Sequence, residues 1–447
     1  MNWINLLSTK RLGRSKVDEP NEQAVRTAFT RDYDRIIFSS AFRRLQDKTQ
    51  VFPLAKSDYV RTRLTHSLEV ASVGRSLGML ATDIIHSKEP SLKTVFAAQD
   101  VGAVVSTACL AHDIGNPPFG HAGESAIQEW FESSKLFLAS QMSETEKSDL
   151  LKFEGNAQGL RTLWTLQNYP QPGGLQLTSA VLGTFTKYPR ASHVDITQRQ
   201  GISAKKFGFM QSEAALFEEL ATELGLVKKP GDALAWHRHP LAFLVEAADD
   251  ICYHVMDVED GFKAGVISLE EIENLHRPWL SEKQLTQGSQ INHTQRRAEY
   301  FRAVTVNAMI LEAVDVFKSN YDEIMSGGFD EELAARMQHS NELAAFKELA
   351  KKKVYCTRPV IEVEACGFEV IGGLLDAFVG AIETKVNSSP IGKTRSRTLL
   401  NLLPVGVELT GTLTPYQRMM VATDFVSGMT DSFAVELYQR IRGIALP

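Results

Sequence analysis

Apolar positions recur along this chain at three- and four-residue spacing, the period of a helix with one buried face. Between residues 67 and 86 they are Val70, Val73, Leu77, Leu80, Ala81, Ile84 and Ile85. Residues 101–113 form a second, nearly all-apolar run that ends at Gly115-Asn116-Pro117-Pro118. A helix cannot continue there, because proline lacks the N–H and glycine favours the C-terminal cap. The same period predicts helices over 121–133, 157–167, 212–225, 239–262, 297–319, 330–352, 367–385 and 414–442. Strand alternation is confined to Val354–Glu364, where Pro359 would restrict an extended segment to an edge or loop. The least structured stretches are 10–24, charged and polar, and 278–296, with Ser, Gln, Asn and His and few apolar residues. The pattern predicts an all-α fold. Its organisation reads as a leading segment 1–60, a helical domain 61–262 and a C-terminal helical domain 263–447, with a soft boundary near 265.

Composition narrows the class. A chain of 447 residues suggests two or three domains, and 43% hydrophobic with 23% charged content excludes wholesale disorder. The 48 basic against 54 acidic residues give a net charge of -6, which argues against a basic nucleic-acid coat. Charge is uneven, however: residues 1–65 carry 13 Lys/Arg and 7 Asp/Glu, leaving 35 against 47 for the rest. A basic leading segment on an acidic body points to a local anion site and leaves single-stranded nucleic acid open as a ligand. Cys109, Cys252, Cys356 and Cys366 stand far apart with no CxxC pair, which excludes a zinc ribbon and suggests a reducing compartment. The first residues show no basic stretch followed by an apolar one, and the longest apolar run, Val101–Ala111, is too short to span a bilayer. The expectation is a cytoplasmic protein without a membrane partner.

Chemistry concentrates at the helix ends. His112 and Asp113 are adjacent where the apolar 101–113 helix stops, and such a buried pair is expensive unless partnered or bound to a cation. His66 stands at the start of the preceding helix. Asp249 and Asp250 lie together inside the apolar 239–262 helix, where two carboxylates repel and desolvate unless compensated. Two imidazoles with two carboxylates suit a divalent ion that keeps positions for water and substrate. His121 and Glu124, three apart at a predicted helix start, can face one point, though a Glu there would also serve a capping box. Asn156, taken alone, reads as a helix N-cap. Asp249, Tyr253 and Asp257 form one i, i+4, i+8 stripe, and Tyr253 would also make an ordinary core residue.

The order His66…His112-Asp113…Asp249 resembles the signature of the HD-domain phosphohydrolases. The string from Ala111 through His112-Asp113-Ile114-Gly115-Asn116-Pro117-Pro118-Phe119-Gly120-His121 to Glu124 is similar to the dNTP triphosphohydrolase branch, with dGTP as its substrate. So are Arg44-Leu45-Gln46-Asp47-Lys48-Thr49-Gln50-Val51-Phe52-Pro53, Phe153–Gln158, Lys187-Tyr188-Pro189 and Glu246–Tyr253. The resemblance covers residues 43–262. It implies an HD-domain helical bundle followed by an additional C-terminal helical domain, and cleavage of a dNTP at the α-phosphorus to deoxynucleoside and intact triphosphate. It implies His66, His112, Asp113 and Asp249 as ligands of a divalent metal ion (Mn, Mg, Ni, Fe or Zn), and selects Asp249 over Asp250 because Tyr253 follows four residues later. It makes His121 the proton donor to the leaving 5′-oxygen and Glu124 its orienting partner. Arg63 and Lys187 would meet the phosphates, with Arg43, Arg44 and Arg61 less clearly placed. Gln46, Tyr253 and Asp257 would line the sugar, and Asn156 would face the site. Asp250 departs from relatives that carry a basic residue there. The resemblance further suggests a homo-oligomer such as a hexamer, and a second dNTP as an allosteric effector. Two other classes share parts of this pattern: an HD phosphodiesterase or 5′-phosphatase, and a non-enzymatic nucleotide sensor or single-stranded nucleic-acid binder.

Overall fold

Two helices pack closely enough that their contact is made by glycines. The first, α1 (Arg63–Lys88), carries the predicted apolar stripe, and the second, α2 (Ala98–Ala111), is buried along most of its length. A Cβ added at Gly78 would stand 3.0 Å from the Gly102 Cα, and one at Gly74 would meet the Cys109 Sγ at 2.4 Å. The pairing of 78 with 102 and 74 with 109 makes the helices antiparallel. It therefore brings the start of α1, with His66, beside the end of α2, with His112. The structure, a computed structural model, describes residues 1–13, 26–51, 61–168, 172–194, 201–231, 234–387, 392–404, 406–407 and 409–445. Most of the predicted irregular stretch 10–24, together with Phe52 and Pro53, lies outside them.

The described residues hold helices and four isolated bridges, with no strand. The fold is all-α. After α2 come α3 (Gly120–Ser133), α4 (Gly155–Arg161), which passes into a π turn at Thr162–Leu166, and α5 (Ala242–Lys263). Helix α5 packs on α1 and α2, and on α6 (Thr294–Ser319). Further on are α7 (Arg358–Val386), α8 (Pro415–Ser427) and α9 (Asp431–Arg442). Two hydrophobic cores result. One runs from Trp3 to Val354 and contains α1, α2 and α5; the other joins residues 119–157, Phe207 and Met210 to residues 370–437. The loop between α2 and α3 lies between them.

Three expectations need correction. Residues 358–364 are the first turns of α7 rather than a strand, and Pro359 sits in the first turn, where its missing N–H would have no partner anyway. The polar stretch 278–296 contains the helix Glu282–Ser289, started by a capping box between Ser281 and Gln284. The predicted 414–442 helix is broken between Ser427 and Asp431, where Thr430 caps α9. Helix α7 is long and apolar enough by composition to cross a membrane, but half of its apolar window is buried inside the protein.

Candidate metal and proton-transfer site

The ends of α1 and α2 and the middle of α5 meet at one point. His66 Nε2 stands 3.2 Å from Asp249 Oδ1; His112 Nε2 stands 3.4 Å from the same oxygen and 3.5 Å from Asp113 Oδ1. The two imidazole rings meet edge to face at 5.3 Å. Donor atoms at ~2.1 Å from a shared ion are ~3.0 Å apart in an octahedron and ~3.4 Å apart in a tetrahedron, so these spacings fit one ion. His66, His112 and Asp113 alone already have their donor atoms within 4.8 Å of one another. His112 Nδ1 faces the Cys109 carbonyl at 2.7 Å, and since a carbonyl only accepts, Nδ1 carries the proton and Nε2 presents a lone pair. The carboxylate brought to both imidazoles is Asp249. Asp250 has a buried Oδ2 without a hydrogen-bond partner, and burial beside Glu246 and Asp249 pushes its pKa well up. Side-chain exposure is 2% for His66, 5% for His112 and 11% for Asp113 but 23% for Asp249, so the point opens on the Asp249 side.

Two cations neutralise the acids. Arg63 Nη1 donates to Asp113 Oδ2 at 2.7 Å, and Lys187 Nζ donates to Asp249 Oδ2 at 2.6 Å. Burial would raise both carboxyl pKa values. Arg63 outweighs it at Asp113 and Lys187 at Asp249, with the imidazoles assisting, so both stay ionised. Burial opposes charge on His112, yet Asp113 and Asp249 raise its pKa overall. Asn116 fixes the other Asp113 oxygen at 2.5 Å.

Past Gly115, the loop must slip between helices. A Cβ there would lie 2.1 Å from the Gly159 amide nitrogen and 2.2 Å from the Gly155 carbonyl of α4. The loop then turns through Phe119, left-handed at φ +64°, into α3. His121 Nδ1 is 3.0 Å from Glu124 Oε2, and Glu124 Oε1 accepts the Gly155 N–H at 2.8 Å. Glu124 is therefore not a capping box; its second oxygen fixes α4. Burial would raise its pKa, but His121, Lys206 and the Gly155 amide hold it below the ordinary value. The His121 side chain is 80% exposed.

The remaining candidates are placed as follows. Asn156 bonds Glu154 at 2.8 Å, and Glu154, not Asn156, caps α4. Tyr253 lies 6.3 Å from the Tyr355 ring, and the Tyr355 hydroxyl donates to Asp257. Burial pushes Asp257 up to about 8 and Tyr253 up to about 12. Gln46 is exposed on a short turn, whereas Gln50 has a buried Oε1 without a partner and lies on the segment that pairs with Thr62. Arg43 is exposed, and Arg61 is locked into Glu69, Glu259 and Asp260. Arg44 lines a small cavity behind Gly115. Residues 43–50 gave no local signal separating Gln46 from Gln50, and Tyr355 falls in the segment whose pattern read as extended.

A family model described as the HD domain matches residues 63–154, spanning His66, His112, Asp113, His121 and Glu124. The fold and this match define an HD-domain protein. A protein of Synechocystis sp. named deoxyguanosinetriphosphate triphosphohydrolase-like is 42% identical, and one of that name from Pseudomonas aeruginosa (strain LESB58) is 38% identical, each over the full length of both chains. A deoxyguanosinetriphosphate triphosphohydrolase of Enterobacter sp. is 31% identical over 99% of both. The chain belongs to this HD-domain family of triphosphohydrolases and triphosphohydrolase-like proteins.

Proposed function

We propose that the protein hydrolyses deoxynucleoside triphosphates, dGTP foremost, to the deoxynucleoside and inorganic triphosphate. The observation that carries the reading is one short loop that joins two halves of a reaction. His112 and Asp113 stand at its start among four convergent metal-type donors, and His121 stands at its end on a buried glutamate. The full-length similarity to a relative named for dGTP hydrolysis supports the choice of substrate.

His66, His112, Asp113 and Asp249 would hold a divalent cation such as Mn, Mg, Ni, Fe or Zn. Bound there, the ion would polarise water and the phosphate oxygens. Arg63 and Lys187 place positive charge against Asp113 and Asp249, and in this reading they would also meet the phosphates. His121, exposed at Nε2 with Nδ1 on Glu124, is arranged to pass a proton to the departing 5′-oxygen, and Glu124 stabilises the imidazolium. Tyr253 and Asp257, one and two turns beyond Asp249 on α5, would meet the deoxyribose. Incubating the protein with each of the four dNTPs and several divalent metals, then identifying products, tests the reading. Triphosphate and deoxynucleoside support it. Monophosphate with diphosphate would place the protein among the HD phosphodiesterases, and binding without turnover would make it a sensor.

A further inference from the structure

Asp431 opens α9, more than three hundred residues beyond His112 and Asp113, and the residue is 1% exposed. An acid in a first helical turn ordinarily needs no partner beyond the helix dipole. This one is spent elsewhere. Its Oδ1 accepts the Phe119 N–H at 3.0 Å, while Oδ2 accepts the Thr49 N–H at 2.9 Å and the Thr49 hydroxyl at 2.5 Å. We propose that Asp431 is a positioning residue for proton transfer, holding the turn that carries His121 in register with the cluster; this rests on the role of His121 proposed above.

Phe119 is a non-glycine residue in the left-handed region, a conformation that persists only where the surroundings over-determine it. Asp431 grips its backbone. Its ring lies against Gly367 of α7, where an added Cβ would come within 3.1 Å. The turn has no slack downstream either, because a Cβ at Gly123 would stand 1.9 Å from the Pro118 carbonyl oxygen. A displacement at Phe119 is therefore carried two residues on, to His121. The other end of the clamp reaches α1: Thr49 bridges Thr62, and the Arg63 N–H donates to the Lys48 carbonyl at 3.1 Å. One carboxylate thus ties the His121 turn to the start of the helix that carries His66. His112 and Asp113 precede the turn and keep their own partners, Cys109 and Arg63, without it.

The test compares Asp431→Ala and the isosteric Asp431→Asn with Thr414→Ala, which removes the N-cap of α8 in the same core but does not touch the turn. Metal content, Tm, KM and kcat are measured for each, alone and combined with His121→Ala. Asp431→Ala should keep its metal and its KM within about threefold while kcat falls ~10- to 100-fold, the scale expected when a reacting group is misplaced by about 1 Å. Asp431→Asn, which retains one acceptor oxygen, should fall between it and the wild type. Thr414→Ala should melt earlier, by ~2 °C, with kcat unchanged. In the His121→Ala background, Asp431→Ala should cost nothing more, since groups acting as one unit are not additive. Unchanged kcat in Asp431→Ala, or an undiminished loss on top of His121→Ala, overturns the proposal; if the alanine variant does not fold, Asp431→Asn decides by the same two comparisons. A His121→Ala enzyme with normal turnover would instead defeat the role of His121, a failure visible without any Asp431 variant.

Discussion

In Glu124→Gln the side chain keeps an oxygen for the Gly155 N–H but turns an NH2 toward His121, whereas Glu124→Ala loses both contacts. The two variants therefore separate what the carboxylate does for the fold from what it does for the histidine. Glu124 is 7% exposed, and the Gly155 amide it accepts, at 2.8 Å, is buried. Removing the acceptor strands that amide, at a cost of ~1–3 kcal/mol, which corresponds to a Tm lowered by a few degrees in a chain of this size. Glutamine avoids this cost and should melt within ~2 °C of the wild type. The contact at 3.0 Å between His121 Nδ1 and Glu124 Oε2 is different, because a carboxylate, unlike an amide, would stabilise the imidazolium that the proposed proton transfer requires. Both variants should therefore lose turnover, by roughly 10- to 100-fold, below the ~10²–10⁴-fold expected for His121→Ala. Metal content by atomic absorption, melting by calorimetry and steady-state triphosphate release are the three readouts. A Glu124→Gln enzyme with wild-type turnover would refute the pairing and leave Glu124 as a fastener of α4.

Asp249→Ala and His112→Ala should each lose bound metal and hydrolysis together, as measured on dialysed protein. Asp250→Asn should keep both, because burial pushes the Asp250 carboxyl well up and the amide imitates its protonated form. Gly115→Ala should destabilise by ~1–3 kcal/mol in chemical denaturation, since its Cβ would lie 2.1 Å from the Gly159 nitrogen and backbone must move. Stability should also fall on acidification. The His239 ring sits with Nε2 at 3.0 Å from the Leu6 carbonyl and accepts the Leu241 N–H at Nδ1, and burial lowers its pKa from 6.5 to about 4. The unfolded chain then binds the extra proton first, so stability is lost as pH falls from about 6.5 to about 4, and His239→Gln should flatten that part of the Tm–pH curve.

The helices were legible because their burial is local: the α1 stripe and the all-apolar α2 repeat at the helical period, and Gly115 through Pro118 mark where α2 must stop. Val354–Glu364 misled for a related reason. β-branched residues around a proline read as an edge strand, but the same proline fits the first turn of α7. Residue types at the helix ends pointed to the cluster, and their meeting follows from glycine-mediated packing of α1 on α2. What stayed hidden depends on long-range contacts. Nothing near Asp431 signals that it holds Phe119, nothing near Tyr355 that it bonds Asp257, and nothing in residues 43–50 that Gln50 rather than Gln46 carries a buried, unpartnered oxygen. The buried Lys48 is similar. It donates to the carbonyls of Asn116 and Ser427, and burial with Arg44 nearby lowers its pKa to about 7, but in the sequence it is one more lysine in a basic segment.

The account turns on where water enters the substrate, and hydrolysis of dGTP in ¹⁸O-labelled water reads this directly by mass spectrometry of the products. Attack at the α-phosphorus with His121 protonating the 5′-oxygen predicts one labelled oxygen in the inorganic triphosphate and none in the deoxyguanosine. Label in the deoxyguanosine, or its recovery in a nucleoside monophosphate, would contradict the account.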